Sequence, residues 1–349
     1  MILMFDDIYI FYVLGKYKLG IISRENLFSE LKEYVKSKGQ IFLKLLQIFL
    51  INQYLFGKEF TREEVGILNS ILDNVHYKVE NADFEVGSGS VAFVHYDLKD
   101  KSKVVKKNIP GIKQQIEKST DEFRNMLYLA SFKIKINVDE NSIQDYKNLL
   151  LNQTKLDKEA KNMIRMKNIL KYEYIKIPKV FEYNKDMIKM EYIEGYKLTD
   201  FLKKYPEQEL NCKSLIQCMM KKMIDNKFIH GDLHEGNFLF NIDKNNNVIL
   251  NLIDFGLVFE LNEHQKKIFN NYLLFGTDRS LFFYEMSTKE IPFTEFDKYF
   301  EEYRHSDIYV IFEKMKENNV KFNFYYTTFI IGLNNLIIRL KKMKGDIDF

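Results

Sequence analysis

The sequence predicts an α+β chain in two lobes, a small one built on five antiparallel strands and a large, mostly helical one, with a helical extension in front. Three observations predict this. Up to about residue 82 the apolar residues recur at helical spacing. Between Asp83 and Ile193, β-forming runs alternate with turn residues around a helical stretch. After Leu198 the pattern is helical again, apart from one hairpin between Phe228 and Gly256. The expected segments are 1–82, 83–193 and 194–349.

In the extension, helices are expected over Glu25 to Ser37, Ile41 to Phe56 and Thr61 to Asn74, the last opening on a capping box at Thr61 and Glu64. The middle one is apolar on most sides and must be covered by other elements. Its polar exceptions, Lys44 and Gln47, stand three apart and share a face. Lys44, Gln47, Asn52 and Gln53 interrupt the run, which falls short of the ~20 apolar residues of a membrane span. The first residues, MILMFDDIYIFYVL, carry two acids where a signal or transit peptide carries bases, so no targeting segment is expected.

The small lobe opens with Val86-Gly87-Ser88-Gly89-Ser90, followed by strand residues through Val94 and a turn at Asp97 to Asp100. Glycines let backbone amides approach phosphate oxygens without a Cβ in the way, and Val94 would cover an adenine base. Seventeen residues past Gly89, Lys106 lies on the next strand and is the expected phosphate-contacting cation. Strand alternation turns Lys107 to the other face. A helix over about Ile112 to Ala130 comes next. After it a single long helix from Asn141 or Ser142 is expected to carry Leu149, Leu156, Ala160 and Met163 toward the sheet, with Asp145 completing its cap. Glu159, at the edge of that stripe, would pair with Lys106 and keep it charged. Two strands around the Asn184 to Asp186 turn lead to Met190-Glu191-Tyr192-Ile193, a connector whose backbone groups would meet adenine.

The large lobe holds the chemistry. Asp232 follows His230 at a loop start, where its carboxylate can orient or deprotonate a hydroxyl, and Asn237 offers a neutral oxygen five residues on. Strands over Phe238 to Phe240 and Val248 to Ile253, joined by a polar turn, bring Asp254 back beside Asn237. Oxygen ligands of this kind suit magnesium with a nucleotide, ATP or ADP, rather than zinc. HxDxxxxN followed by a hairpin and Asp254-Phe255-Gly256 reads as the phosphotransfer centre of a protein-kinase-like fold. A helix capped by Asn262 and Gln265 starts at once, leaving no room for a peptide-docking activation segment. A long helix over Glu207 to Lys227 carries both cysteines, Cys212 and Cys218.

Bulk composition narrows the partners. With 46% apolar and 29% charged residues the chain is that of a globular protein, and a net charge of +3 is too small to argue for nucleic acid. Two cysteines six apart form neither a redox pair nor a zinc knuckle, so reduced thiols in a cytoplasm-like compartment are expected.

These pieces together resemble the UbiB/ADCK atypical kinase-like family, associated with coenzyme Q biosynthesis. GQIFLKLLQ (Gly39 to Gln47) is similar to its KxGQ helix, GSGSVAFVH (Gly87 to His95) to its phosphate loop, and KVVKKNIPGI (Lys103 to Ile112) to its lysine strand. LDKEAKN (Leu156 to Asn162), MEYIEGYKLTD (Met190 to Asp200) and HGDLHEGN (His230 to Asn237) resemble its ion-pair helix, hinge and catalytic loop. The resemblance implies an ATP- and magnesium-dependent kinase or ATPase, with Lys44 and Gln47 on an extension lying over the active site, and an acceptor that is water, a small molecule or lipid-like. It leaves peripheral membrane contact and oligomeric state open. The departures are Leu46 at the KxGQ glycine, Gln153 and Lys155 in place of an acidic pair, and Leu233 and Glu235 in place of two prolines. HGDLHxGN is also similar to the loops of aminoglycoside and choline kinases, and a nucleotide-binding module without turnover is the third reading.

Overall fold

A computed structural model describes residues 5–51, 85–131, 140–306, 308–318, 320–322 and 324–343. The expected helix over Thr61 to Asn74 lies outside them. The chain divides into two compact units, Met1–His95 with Asn108–Thr154, and Tyr96–Lys107 with Lys155–Phe349.

The first unit holds helices α1 (Phe5–Lys18), α2 (Arg24–Ser37) and α3 (Gln40–Ile51), strands β1 (Glu85–Ser88) and β2 (Ala92–Tyr96), then α4 (Ile112–Ser131) and α5 (Glu140–Gln153). The apolar girth of α3 is covered as its composition requires. Ile41, Phe42, Leu43 and Leu45 are buried, and Phe42 meets Phe123 of α4 edge to face at 5.5 Å and Tyr34 of α2 at 6.1 Å. Aromatic pairs at such distances add to burial by about 0.5–1.5 kcal/mol each. Lys38 and Glu122 form an ion pair at 3.7 Å beside this core. Strands β1 and β2 pair antiparallel, Gly87 facing Val94 and Ser88 facing Phe93, with a bulge between Glu85 and Gly87.

The long helix expected from Asn141 through Met163 is two helices. The second unit takes up α6 (Leu156–Ile169) after a break at Thr154 and Lys155. Thr154 is buried, its hydroxyl donates to the Leu151 carbonyl at 2.8 Å, and its own carbonyl accepts from Asn108 Nδ2 at 2.8 Å. That carbonyl is drawn off the helical ladder, which is how a β-branched hydroxyl residue ends a helix. Apolar periodicity continues across the break, so the sequence pattern does not reveal it. The α5 helix begins at Glu140, which puts Asn141 inside the first turn rather than at the cap.

Within the second unit, β3 (Lys103–Asn108), β5 (Val180–Tyr183) and β6 (Met187–Glu191) lie side by side, β6 pairing antiparallel with both. In this unit the strands run in the order β3-β6-β5. Asn184 closes the β5–β6 turn by accepting the amides of Asp186 and Met187. After α7 (Leu198–Lys204) and a short 3-10 turn at Pro206–Gln208, α8 (Glu209–Asp225) buries Cys212, Ile216, Met219, Met220 and Met223. The expected start at Glu207 is thus a 3-10 turn, and the α-helix begins two residues later at Glu209. Strands β8 (Phe238–Ile242) and β9 (Val248–Leu252) form the expected hairpin, and β4 (Ile175–Lys176) adds to β9 in parallel. A second ribbon, not expected from sequence, pairs β7 (Phe228–His230) with β10 (Val258–Glu260). Helices α9 (Glu263–Phe275), α10 (Arg279–Met286), α11 (Phe293–Tyr303), α12 (Ile308–Glu317) and α13 (Phe324–Lys342) close the unit around Phe269, Phe282, Phe283, Phe296, Phe300 and Phe312, all essentially inaccessible. Asn262 and Gln265 make the expected capping box on α9.

Candidate active site

The second unit brings Lys106, Glu159 and Asp254 together from elements far apart in sequence. Lys106 Nζ lies 2.8 Å from Glu159 Oε1 and 3.2 Å from Asp254 Oδ2. Strand alternation does this on β3: Lys106 is largely covered, while Lys107 is exposed. On α6, Leu156, Ala160 and Met163 bury the face that carries Glu159, whose side chain is 3% exposed. The helix break at Lys155 places Glu159 in the first turn of α6, where the helix dipole favours a carboxylate.

Each of the three groups acts on the charge state of the others. Burial would lower the Lys106 pKa, but Asp254 and Glu159 overcome it and hold the ammonium above its ordinary value. Burial pushes the Glu159 carboxyl up, with Lys106 pulling it back only in part. Its Oε1 accepts the Phe255 amide at 3.3 Å, whereas the buried Oε2 has no hydrogen-bond partner among the described residues. Burial also acts on Asp254, yet Lys106 and the Gly256 amide prevail and lower it to about 2. An ionised Asp254 beside a charged Lys106 is the state the geometry supports.

Asp254 stands in the left-handed region at φ 62, unusual for a residue other than glycine. Three bonds hold it there besides Lys106. Gly256 N donates to its Oδ1 at 3.1 Å, His230 Nε2 donates to its carbonyl at 2.5 Å, and Ile253 N just before it donates to the Asn237 carbonyl at 3.0 Å. The last bond is the hairpin closure expected to bring Asp254 back beside Asn237. On the far side, Asn162 Nδ2 donates to the Phe255 carbonyl at 3.0 Å.

The loop from His230 to Asn237 is tied internally. Asp232 N donates to His230 Nδ1 at 3.2 Å, so the ring hydrogen sits on Nε2, in agreement with its donation to Asp254. Burial, the main cause, lowers the His230 pKa and keeps the ring neutral. Asn237 Nδ2 donates to the Asp232 carbonyl at 2.9 Å, and the Asn237 amide donates to the His234 carbonyl at 2.9 Å. Gly231 donates to Leu257 O at 2.9 Å, and a Cβ there would fall 2.7 Å from Leu257 Cγ, so the β7–β10 approach requires glycine.

With its nitrogen committed to Asp232, the Asn237 side chain has an oxygen to offer a cation. One ionised carboxylate and one amide oxygen are hard donors that fit magnesium. Among the described residues no three His, Cys, Asp or Glu side chains assemble a metal site, so phosphate and water oxygens would complete the shell.

The connector residues Met190 and Glu191 end β6, with Tyr192 and Ile193 following. Tyr192 N donates to Ser102 O and Glu191 N to Lys179 O, both at 2.9 Å. Tyr192 stacks edge-on against Tyr96 at 5.0 Å.

The first unit carries the remaining sequence-expected residues. Val86 is exposed, and Gly89 donates to Ala92 O at 2.7 Å, closing the β1–β2 turn at Ser90. Neither Gly87 nor Gly89 has positive φ, and a Cβ on Gly87 would meet nothing within 4 Å among the described residues. Lys44 and Gln47 lie on α3, Lys44 half-buried.

Sequence reasoning assigned no role to His230, Asn162 or His234. Asn162 stands three residues from Glu159 on α6, and that spacing was the available signal.

Residues 70–279 match the ABC1 atypical kinase-like domain. Among curated proteins, the chain is 25% identical over 265 residues to the probable protein kinase UbiB of Histophilus somni, covering 66% of this chain and 48% of that protein. It is 30% identical over 206 residues to the probable protein kinase UbiB of Sodalis glossinidius, covering 54% and 37%. To the probable serine/threonine-protein kinase abkB of Dictyostelium discoideum it is 27% identical over 267 residues, covering 66% and 38%. The chain thus spans about half the length, or less, of the curated relatives it matches. Among solved structures, the Rv3197–erythromycin complex from Mycobacterium tuberculosis is similar with a TM-score of 0.43 and 17% identity, over 63% of this chain and 59% of that one. Among the described residues, no helix is long and apolar enough to cross a membrane.

Proposed function

The chain belongs to the UbiB/ADCK atypical kinase-like family, as its ABC1 atypical kinase-like domain shows, and on that premise we propose that it is an ATP-binding, magnesium-dependent kinase or ATPase acting on water or a small, lipid-like acceptor. The observation that carries this reading is the Lys106 ammonium bridging Glu159 and Asp254. A cation fixed by one buried and one partly exposed carboxylate is poised to meet phosphate oxygens.

Each residue has a part. Lys106 contacts the phosphates and Glu159 keeps it aimed. The Met190 to Ile193 connector offers its backbone groups to the base. Asn237 and Asp254 would hold magnesium, which supplies charge neutralisation on the transferring phosphoryl group. Asp232 orients the attacking hydroxyl and accepts its hydrogen.

The acceptor reading rests on the short connection after Gly256. Only β10 stands between the Asp254 loop and the Asn262 cap of α9, so no segment of this stretch is long enough to dock an extended peptide. The same feature supports a second reading, a small-molecule phosphotransferase with a soluble aminoalcohol or sugar as acceptor. ATP hydrolysis measured with liposomes, quinone-precursor-like phenols, aminoalcohols and sugars separates the two. Stimulation by lipid or phenol supports the first reading, and phosphorylation of a soluble alcohol supports the second. Absence of magnesium-dependent nucleotide binding contradicts both.

A further inference from the structure

We propose that His234 is a positioning residue for Asp232, fixing the carboxylate that takes the hydrogen of the attacking group. The inference rests on the role given to Asp232 above.

Gly236 N donates to His234 Nδ1 at 3.0 Å. A ring nitrogen that accepts an N–H carries its lone pair there, so in the neutral imidazole the hydrogen is on Nε2. That Nε2 lies 3.4 Å from Asp232 Oδ2. Catalytic contacts of this kind are often long before substrate arrives and tighten in the reacting complex. The loop therefore holds Asp232 from two sides with the same tautomer. His230 accepts its backbone N–H, and His234 brings Nε2 to 3.4 Å from its carboxylate.

The seat of the His234 ring is built into the backbone. A Cβ on Gly236 would fall 2.7 Å from His234 Cε1 and 2.8 Å from Nδ1, closer than real Cβ contacts come. Glycine at 236 keeps room for the imidazole, and its amide fixes the tautomer. The ring is not part of the core, since its side chain is 55% exposed, and it contributes little to packing.

The step balances without His234 gaining or losing a proton. The O–H bond of water or the acceptor breaks and its hydrogen passes to Asp232 Oδ1. The new bond forms between the oxygen of the water or acceptor and the γ-phosphorus, while the bond from the γ-phosphorus to the β-phosphate oxygen breaks and its electron pair leaves on ADP. His234 keeps its Nε2 hydrogen and holds Oδ2, which removes a rotation the carboxylate must otherwise lose at the transition state. A misplaced catalytic group costs up to about 100-fold in rate.

The test uses the full chain with selectively ¹⁵N-labelled histidine, steady-state ATP turnover and fluorescent-nucleotide binding. His234→Ala is expected to lower kcat by about 10- to 100-fold with KM for ATP and nucleotide affinity unchanged. His234→Gln, whose amide N–H can reach the same oxygen, is expected to restore most of that loss. Gly236→Ala, which displaces the ring, is expected to lower kcat as His234→Ala does. The ¹⁵N spectrum is expected to show His234 in the Nε2–H form, with its Nε2 resonance moving in Asp232→Asn. Wild-type kcat in His234→Ala beside a crippled Asp232→Asn overturns this inference alone, as does an Nδ1–H tautomer. Wild-type turnover in Asp232→Asn overturns the proposed function and this inference with it.

Discussion

Asn162 Nδ2 and Glu159 Oε1, one turn apart on α6, grip the two ends of the same residue: Asn162 donates to the Phe255 carbonyl at 3.0 Å and Glu159 accepts the Phe255 amide at 3.3 Å. The helix that supplies the ion pair for Lys106 thereby also fixes the backbone just after Asp254. Replacing Asn162 by alanine removes one of these grips, a loss of about 1 kcal/mol for a hydrogen bond of this type. Asn162→Ala is expected to lower magnesium-dependent turnover more than nucleotide affinity without magnesium. Equal loss of both contradicts a role through the Asp254 segment.

The Lys106 pair is asymmetric. Glu159 is 3% exposed and one of its oxygens has no hydrogen-bond partner among the described residues, whereas Lys106 has Asp254 as a second partner. Lys106→Met is therefore expected to destabilise the fold more than Glu159→Gln, by about 3–5 kcal/mol at neutral pH, because it leaves a buried charge without its counter-ion. Burial already holds the Glu159 carboxyl above its ordinary pKa. A group raised in the folded state gives stability below its unfolded pKa, near 4.3, and loses it as pH rises through the folded value. Lys106→Met is thus expected to be less destabilised at pH 5 than at pH 8, as denaturant melts would report. A pH-independent deficit contradicts the assignment.

His230 gives the opposite sign. Its pKa is lowered, chiefly by burial, so its stability contribution is complete above the unfolded value near 6.5 and is lost as pH falls through the folded value. Histidine NMR is expected to show a midpoint below 6.5 and an Nε2–H tautomer. A midpoint at or above 6.5 contradicts the buried neutral ring that holds the Asp254 carbonyl.

How much of this the sequence disclosed depends on how local each signal is. The Lys106, Glu159, Asp232, Asn237 and Asp254 positions were legible because strand alternation, a helical stripe and a short hairpin fix them over a few residues. The break at Thr154 was not, because an apolar stripe runs on through it and only the buried carbonyl bonded to Asn108 marks it. The β7–β10 ribbon was missed for a similar reason: two three-residue strands carry no alternation long enough to read. His234 and Gly236 lay within the recognised catalytic loop but carried no assigned role, since the bond from the Gly236 amide to the ring is not visible in the sequence.

Cys212 tests the reading of the cysteines as packing residues. It is fully buried in α8, and burial pushes its thiol up to about 12. Thiol reagents at pH 8 are expected to modify Cys212 only after the chain is unfolded, because the thiolate is the reactive form. Rapid labelling of Cys212 in the native protein contradicts this.

The most direct test of the account is magnesium-dependent ATP turnover in Asp232→Asn against the unmodified chain, with nucleotide affinity measured in parallel. The variant is expected to bind nucleotide normally and to lose on the order of 10²- to 10⁴-fold in turnover. ATP hydrolysis by Asp232→Asn at the rate of the unmodified chain would contradict the central claim.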